Sequence, residues 1–242
     1  MNSPSPKDLI TKIKSGGFWE INVRPASYVE DRIKREMIKG ILRGAVVELR
    51  GWDYPHFNGE DNRPPYPIQD GIENWVHWQN HLEFWRMTSS GNFFHLLALR
   101  EDWTETKEYR NMWTRGNELE DKKVLGVLGT LYTLTEIFEF GKRLAHQGVF
   151  DDVAVIDIKL YNLDSRSLIV DSYNRVPFSY DRVSRQNLWS PKIKEYLVNE
   201  LLTKADEFAL NAFKELIWLF DWEHPPVESL KNDQEKFLRG KL

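Results

Sequence analysis

Residues 74–98 restrict the fold more tightly than any other part of the chain. They read NWVHWQNHLEFWRM and then TSSGNFFHLLA. The segments ENWVHWQ, LEFWRMT and NFFHLLAL are rich in the aromatic and β-branched residues that suit a pleated surface. QNH (79–81) and SSGN (89–92) supply short turns between them. Three strands joined by two tight turns make a meander, in which Trp75 and His77 share one face while Val76 and Trp78 take the other. Both faces are partly apolar, so each needs a cover: a helix on one side, and the 53–71 loop or a partner on the other. A helical reading of 72–83 puts His77 and His81 one turn apart, as metal ligands are. The zinc-protease pattern needs glutamate directly after the first histidine, and Trp78 stands there. His77, His81 and His95 are therefore expected to hydrogen-bond locally and to bind no metal.

Around this meander the pattern alternates between helix and strand. Leu9, Ile10 and Ile13 predict a short helix over 7–14, stopped at Gly16-Gly17, and FWEINVR (18–24) reads as a strand ended by Pro25. Ser27 with Glu30 matches a capping box, and Ile33, Met37, Ile38, Ile41 and Leu42 carry a helix to Arg43. AVVELRGW (45–52) returns to strand. Residues 122–147 give the clearest helix, in which Gly126, Gly129 and Gly141 permit close approach of a neighbouring element. VAVIDIKLYN (153–162) and SRSLIVDS (165–172) predict a hairpin, and a long amphipathic helix follows near 192–220. The expectation is a single α+β domain: a mainly antiparallel sheet, a long central helix and a C-terminal helix packed on it. Residues 1–16 form a lead segment and 225–242 a peripheral tail.

With 242 residues, 41% of them hydrophobic, the chain can bury a genuine core. It has no cysteine, which excludes disulfides, thiolate metal sites and cysteine nucleophiles. No apolar run approaches the roughly 20 residues of a membrane span, and the N-terminal residues lack the apolar stretch of a secretory signal. These features predict a cytoplasmic protein with no membrane contact. The net charge of −4 divides into +4 over residues 1–50 and −8 over the rest, so any basic patch is local. Neither GxxxxGK[ST], GxGxxG nor GxSxG occurs, and no cofactor is expected.

Five groups of residues invite a functional reading. Arg32, Arg35, Lys39 and Arg43 form a basic stripe on the 27–43 helix, suited to a phosphate backbone. They serve equally as a solvated face with Glu30, Asp31 and Glu36 as ion partners. Asp157 and Lys159 share one face of a strand, as in Mg²⁺-dependent PD-(D/E)xK nucleases, although the nearest upstream acids, Asp151 and Asp152, are too close to occupy a separate strand. Asp53, His56, Glu60 and Asp61 gather possible cation ligands in a loop without calcium-loop spacing. Glu136 and Glu139 stand three apart on the long helix. Finally, Trp52, Tyr54, Tyr66, Trp103, Tyr109 and Trp113 make two long irregular stretches, 53–71 and 102–121, and their edges unusually aromatic, as partner-binding anchors are.

The order FWEINVRP, VVELRGWDYPHF, EFWRMTSSGNFFHLLALREDW and LTEIFEFGKRLA resembles a family of uncharacterised prokaryotic proteins over residues 18–147. The resemblance associates the chain with nucleic-acid-binding and ATPase modules of intracellular defence or regulation. It implies an accessory role and carries no catalytic residue. The reading placed first is a non-enzymatic module that presents aromatic loops to a protein partner. A nucleic-acid-binding accessory comes next, and a Mg²⁺-dependent nuclease last.

Overall fold

The computed structural model describes residues 5–57, 65–78, 81–103, 122–172 and 175–241. In chain order its elements begin with α1 (Pro6–Ser15), β1 (Phe18–Pro25), α2 (Arg35–Ala45), β2 (Val47–Glu48), β3 (Asp53–Tyr54) and β4 (Tyr66–Ile68). Then come β5 (Gly71–Trp78), β6 (His81–Thr88), β7 (Phe93–Ala98), α3 (Arg100–Trp103), β8 (Val124–Gly126) and α4 (Val127–His146). The remainder is β9 (Val153–Tyr161), β10 (Ser167–Ile169), β11 (Arg182–Val183), β12 (Leu188–Trp189), β13 (Glu195–Leu197), α5 (Val198–Trp218) and α6 (Val227–Leu238).

The meander forms as its sequence demands. β5 pairs with β6 from Gly71↔Thr88 to Trp78↔His81, and β6 pairs with β7 from Glu83↔Leu97 to Met87↔Phe93. Gly91 adopts φ 83°, a left-handed conformation open to glycine, and its N–H donates to the Thr88 carbonyl at 3.0 Å to close the second turn. β1 joins β7 to β9, giving the order β12-β9-β1-β7-β6-β5-β4, with β13 also on β9. The alternation of each strand divides the core in two. Trp19, Ile21, Val23, Trp85, Met87, Phe93, Ile156 and Ile158 face the helices α2, α4 and α5. Phe18, Leu82, Phe84, Leu96 and Ala98 take the opposite face, where α1 covers them with Leu9 and Ile13. The second cover of the meander is thus the N-terminal helix.

The expected fold class needs correction. β-structure falls into three sheets, of eight, three and two strands, and the three-stranded one mixes parallel β8–β10 with antiparallel β10–β11 pairing. The helical layer holds two long members, α4 and α5, rather than one central helix, and six helices lie among the described residues. SRSLIVDS does not return along β9. Leu163 is fully buried, Asn162 and Ser165 take positive φ, and β10 is diverted to β8.

The helix expected from Ser27 begins eight residues later. The Ser27 hydroxyl donates to Asp151 (3.0 Å), which also takes the Arg32 guanidinium at 2.8 Å, so the cap is spent on a distant loop. Between Ala45 and Trp52 only Val47–Glu48 is strand, because Gly51 (φ 81°) turns the chain back onto β3. Close approach at Gly141 is realised: an added Cβ would lie 2.8 Å from Ile156 Cδ1. No helix among the described residues is long and apolar enough to cross a membrane.

Candidate functional site

α4 starts without a capping side chain of its own, because the chain enters it directly from β8 through Gly126. Its orphan N–H groups are met from afar. Asp171, two residues past β10, accepts from Leu128 N (2.7 Å) and Gly129 N (2.8 Å), and Glu101 of α3 accepts from Gly126 N at 2.9 Å. Carboxylates are favourable at a helix N-terminus. Burial nevertheless pushes both carboxyls up, against the amides that hold them down; the charge of Asp171 raises Glu101 further, while that of Arg50 lowers Asp171. The side chain of Asp171 lies where a Cβ on Gly126 would be, 2.4 Å from Oδ2, so glycine is required there.

Two turns along α4, buried Glu136 meets Arg50: Nε donates to Oε1 at 3.1 Å and Nη2 lies 2.8 Å from Oε2. Arg50 also donates to Thr133 Oγ1 at 2.8 Å, and its guanidinium lies over the stacked rings of Tyr132 and Phe237. Burial lifts the Glu136 carboxyl to about 7, with Arg50 opposing and the charge of Glu83 assisting. Glu83 behaves oppositely. Burial would raise it, but His95 and then His81 hold it well below the usual carboxylate range. Its oxygens lie 2.6 Å from His81 Nε2 and 3.2 Å from His95 Nε2, and it accepts from His56 N at 2.8 Å. His95 Nδ1 in turn contacts the Tyr54 hydroxyl at 3.2 Å.

These groups converge on a cavity of about 630 Å³. Its apolar wall includes Trp19, Leu97, Leu99, Leu128 and Tyr132, with Trp52, Lys236 and Lys241 exposed at the rim. Thr130 also lines it, and its Oγ1 is buried without a hydrogen-bond partner.

The residues singled out from sequence are dispersed. Arg32 precedes α2 and is held by Asp151, so the basic stripe keeps Arg35, Lys39 and Arg43. Asp157 and Lys159 sit on the sheet face away from the long helices, where Lys159 pairs with Glu20 (3.1 Å) and Asp157 with Lys194 (2.6 Å). Trp52 and Tyr54 line the cavity, Tyr54 being 5% exposed, while Tyr66 stacks on Trp75 with centroids 4.4 Å apart. Trp103 ends α3. Tyr109, Trp113, Glu60 and Asp61 lie outside the described residues. Asp53 pairs with His56 within its own loop. Of the Glu136/Glu139 pair, Glu136 faces the cavity while Glu139 turns to Lys142 (3.0 Å) and Arg143 (3.3 Å). His77 and His81 occupy opposite faces: His77 Nε2 lies 3.3 Å from Lys12 Nζ, and His81 is bound to Glu83. Among the described residues no group of three or more His, Asp or Glu could hold a metal ion.

Glu83, Glu101, Asp171, Arg50 and Thr130 escaped the sequence reading. One signal pointed at two of them. A helix that opens Gly-Val-Leu-Gly-Thr has no local cap, so carboxylates must reach it from elsewhere. No family model, curated protein or solved structure matches the chain.

Proposed function

We propose that this chain binds a small organic molecule in the cavity at the start of α4. The observation that carries the reading is the convergence, in about 630 Å³, of buried carboxyls and one orphan hydroxyl from separate segments within an otherwise apolar wall. Ligand sites span roughly 300–1,000 Å³ and combine apolar walls with a few placed polar groups. Buried carboxyls held up toward neutrality are common at such sites. The test is equilibrium dialysis of the purified chain against a cellular small-molecule extract, read by mass spectrometry. A compound enriched at least tenfold with the native chain, and lost with Leu128→Trp, is the expected result. No enriched compound overturns the reading.

A second observation favours contact with a polyanion, separate from the cavity. Arg35, Lys39 and Arg43 recur every four residues on α2, and none makes an ion pair among the described residues. Glu30, Asp31 and Glu36 do not neutralise them. Three phosphate contacts on duplex DNA correspond to a salt slope of about −2.7 in log K against log salt concentration. Fluorescence anisotropy with labelled DNA and RNA at two salt concentrations is expected to show salt-sensitive binding. The Arg35/Lys39/Arg43→Glu variant should abolish it, and a slope near zero would remove this reading.

A further inference from the structure

We infer that the ligand of this cavity carries a primary ammonium group, seated over Gly129 between Glu101, Asp171 and Thr130. The inference rests on the cavity being a ligand site and names the charge that one end of the ligand brings to it.

The seat is open because Gly129 has no side chain. A Cβ there would stand 3.2 Å from Asp171 Oδ2 and 3.9 Å from Glu101 Oε1, so two carboxylate oxygens face one point in space. The nearby cations face other groups, and Arg100, which also lines the cavity, lies over the Trp52 ring. Arg166 is committed to Asp102 at 2.7 and 2.8 Å, and Arg50 to Glu136 and Thr133. Among the described residues neither Glu101 nor Asp171 has a cationic partner within ion-pair distance. Two largely buried carboxyls side by side, hydrogen-bonded by backbone amides, feel Arg166 and Arg50 at a distance but touch no countercharge.

Thr130 supplies an independent sign. Threonine hydroxyls inside helices usually bond the carbonyl one turn back. Thr133 does so to Gly129 O at 2.9 Å, and Thr135 to Leu131 O at 2.8 Å. Thr130, on the same helix and 3% exposed, does not; its Oγ1 has no partner, and the residue lines the cavity. An ammonium group has three N–H donors, enough for both carboxylates and, on rotation of the threonine side chain, this hydroxyl.

A metal ion fits less well. Calcium takes six or more oxygens and magnesium demands an octahedron, whereas both Asp171 oxygens already accept amides. The cavity also continues past the seat along Leu128 and Tyr132 to Lys236 and Lys241, both exposed at its rim. Those lysines oppose a second positive charge and favour a tail that is neutral or anionic.

The experiment is an amide NMR titration of the full chain at pH 7 with 5-aminopentanoate, pentylamine, 1,5-diaminopentane, pentanoate and calcium chloride. The amides of Gly126, Leu128 and Gly129, which report on the two carboxylates, are expected to shift saturably with 5-aminopentanoate and pentylamine. The diamine should bind several-fold more weakly, and pentanoate and calcium should leave these amides in place. Gly129→Ala places a methyl in the seat while improving helix propensity, so it should fold and bind the amines at least tenfold more weakly. Thr130→Val removes the orphan hydroxyl. It should raise the melting temperature of the unliganded chain and still weaken amine binding several-fold, a combination that a purely structural threonine would not produce. Equal shifts with pentanoate or calcium, unmoved amides with every amine, or unchanged binding in Gly129→Ala would overturn the inference. A dialysis-enriched compound with no basic nitrogen would also overturn it while leaving the cavity's binding role intact.

Discussion

Glu83→Leu is expected to cost about 3–5 kcal/mol of stability at pH 7, the range for breaking a buried charged network by removing one partner. The carboxylate is 1% exposed and holds His81, His95 and the amide of His56, so its loss strands three polar groups beneath the meander. Urea denaturation measures the effect. Its pH dependence has a definite sign. The folded carboxyl lies well below its ordinary value of 4.5, so its contribution is present above that value and fades as pH falls toward the folded one. Native and variant curves should therefore approach one another between about pH 5 and pH 3. A gap that stays constant over that interval would show that the network is not what the leucine disrupts. Glu136 acts in the opposite sense: with its carboxyl lifted to about 7, the stability tied to its protonated form fades as pH rises through that value. The contributions of these two carboxyls are jointly greatest between the two windows.

Arg166→Met is expected to cost a similar amount, about 3–5 kcal/mol, or a melting temperature lower by roughly 10 °C for a chain of this size. The side chain is fully buried, and besides gripping both oxygens of Asp102 it donates to the Val124 carbonyl at 2.6 Å. Methionine fills much of the volume but leaves Asp102 without its cation. Adding Asp102→Asn should recover at least about 1 kcal/mol, because the stranded charge is the larger part of the loss. A double variant no better than the single one would assign the cost to packing instead. The local consequence reaches the cavity. Asp102 is the neighbour of Glu101, so loosening α3 should shift the Gly126 amide that Glu101 accepts.

The meander was readable because its signals are local: alternating aromatic residues, two short turns and a glycine where a left-handed residue is required. α4 was readable for a similar reason, with recurring apolar residues and Gly148 (φ 73°) after its end. The start of α2 was not. Ser27 and Glu30 satisfy a capping box in sequence, but the hydroxyl is drawn to Asp151, 124 residues away. The same holds for β10, which is decoupled from its sequence neighbour by burial of Leu163 and Arg166. The cavity was hidden more completely. Glu101, Asp171 and Glu83 look like ordinary charged residues until the helix start, the parallel β8–β10 pair and the two histidines surround them. Glu136 was noticed only together with Glu139, and three positions along a helix separate a buried face from a half-exposed one.

The walls of the cavity come from residues scattered between Trp19 and Lys241. No contiguous half of the chain can assemble it, and partial opening of the molecule would dismantle it. An occupant would therefore report itself in hydrogen exchange far from its own contacts. At a concentration one hundred times its Kd it would slow the exchange of amides that open only through global unfolding by about a hundredfold, equivalent to about 2.7 kcal/mol. Occupancy here is a property of the whole fold.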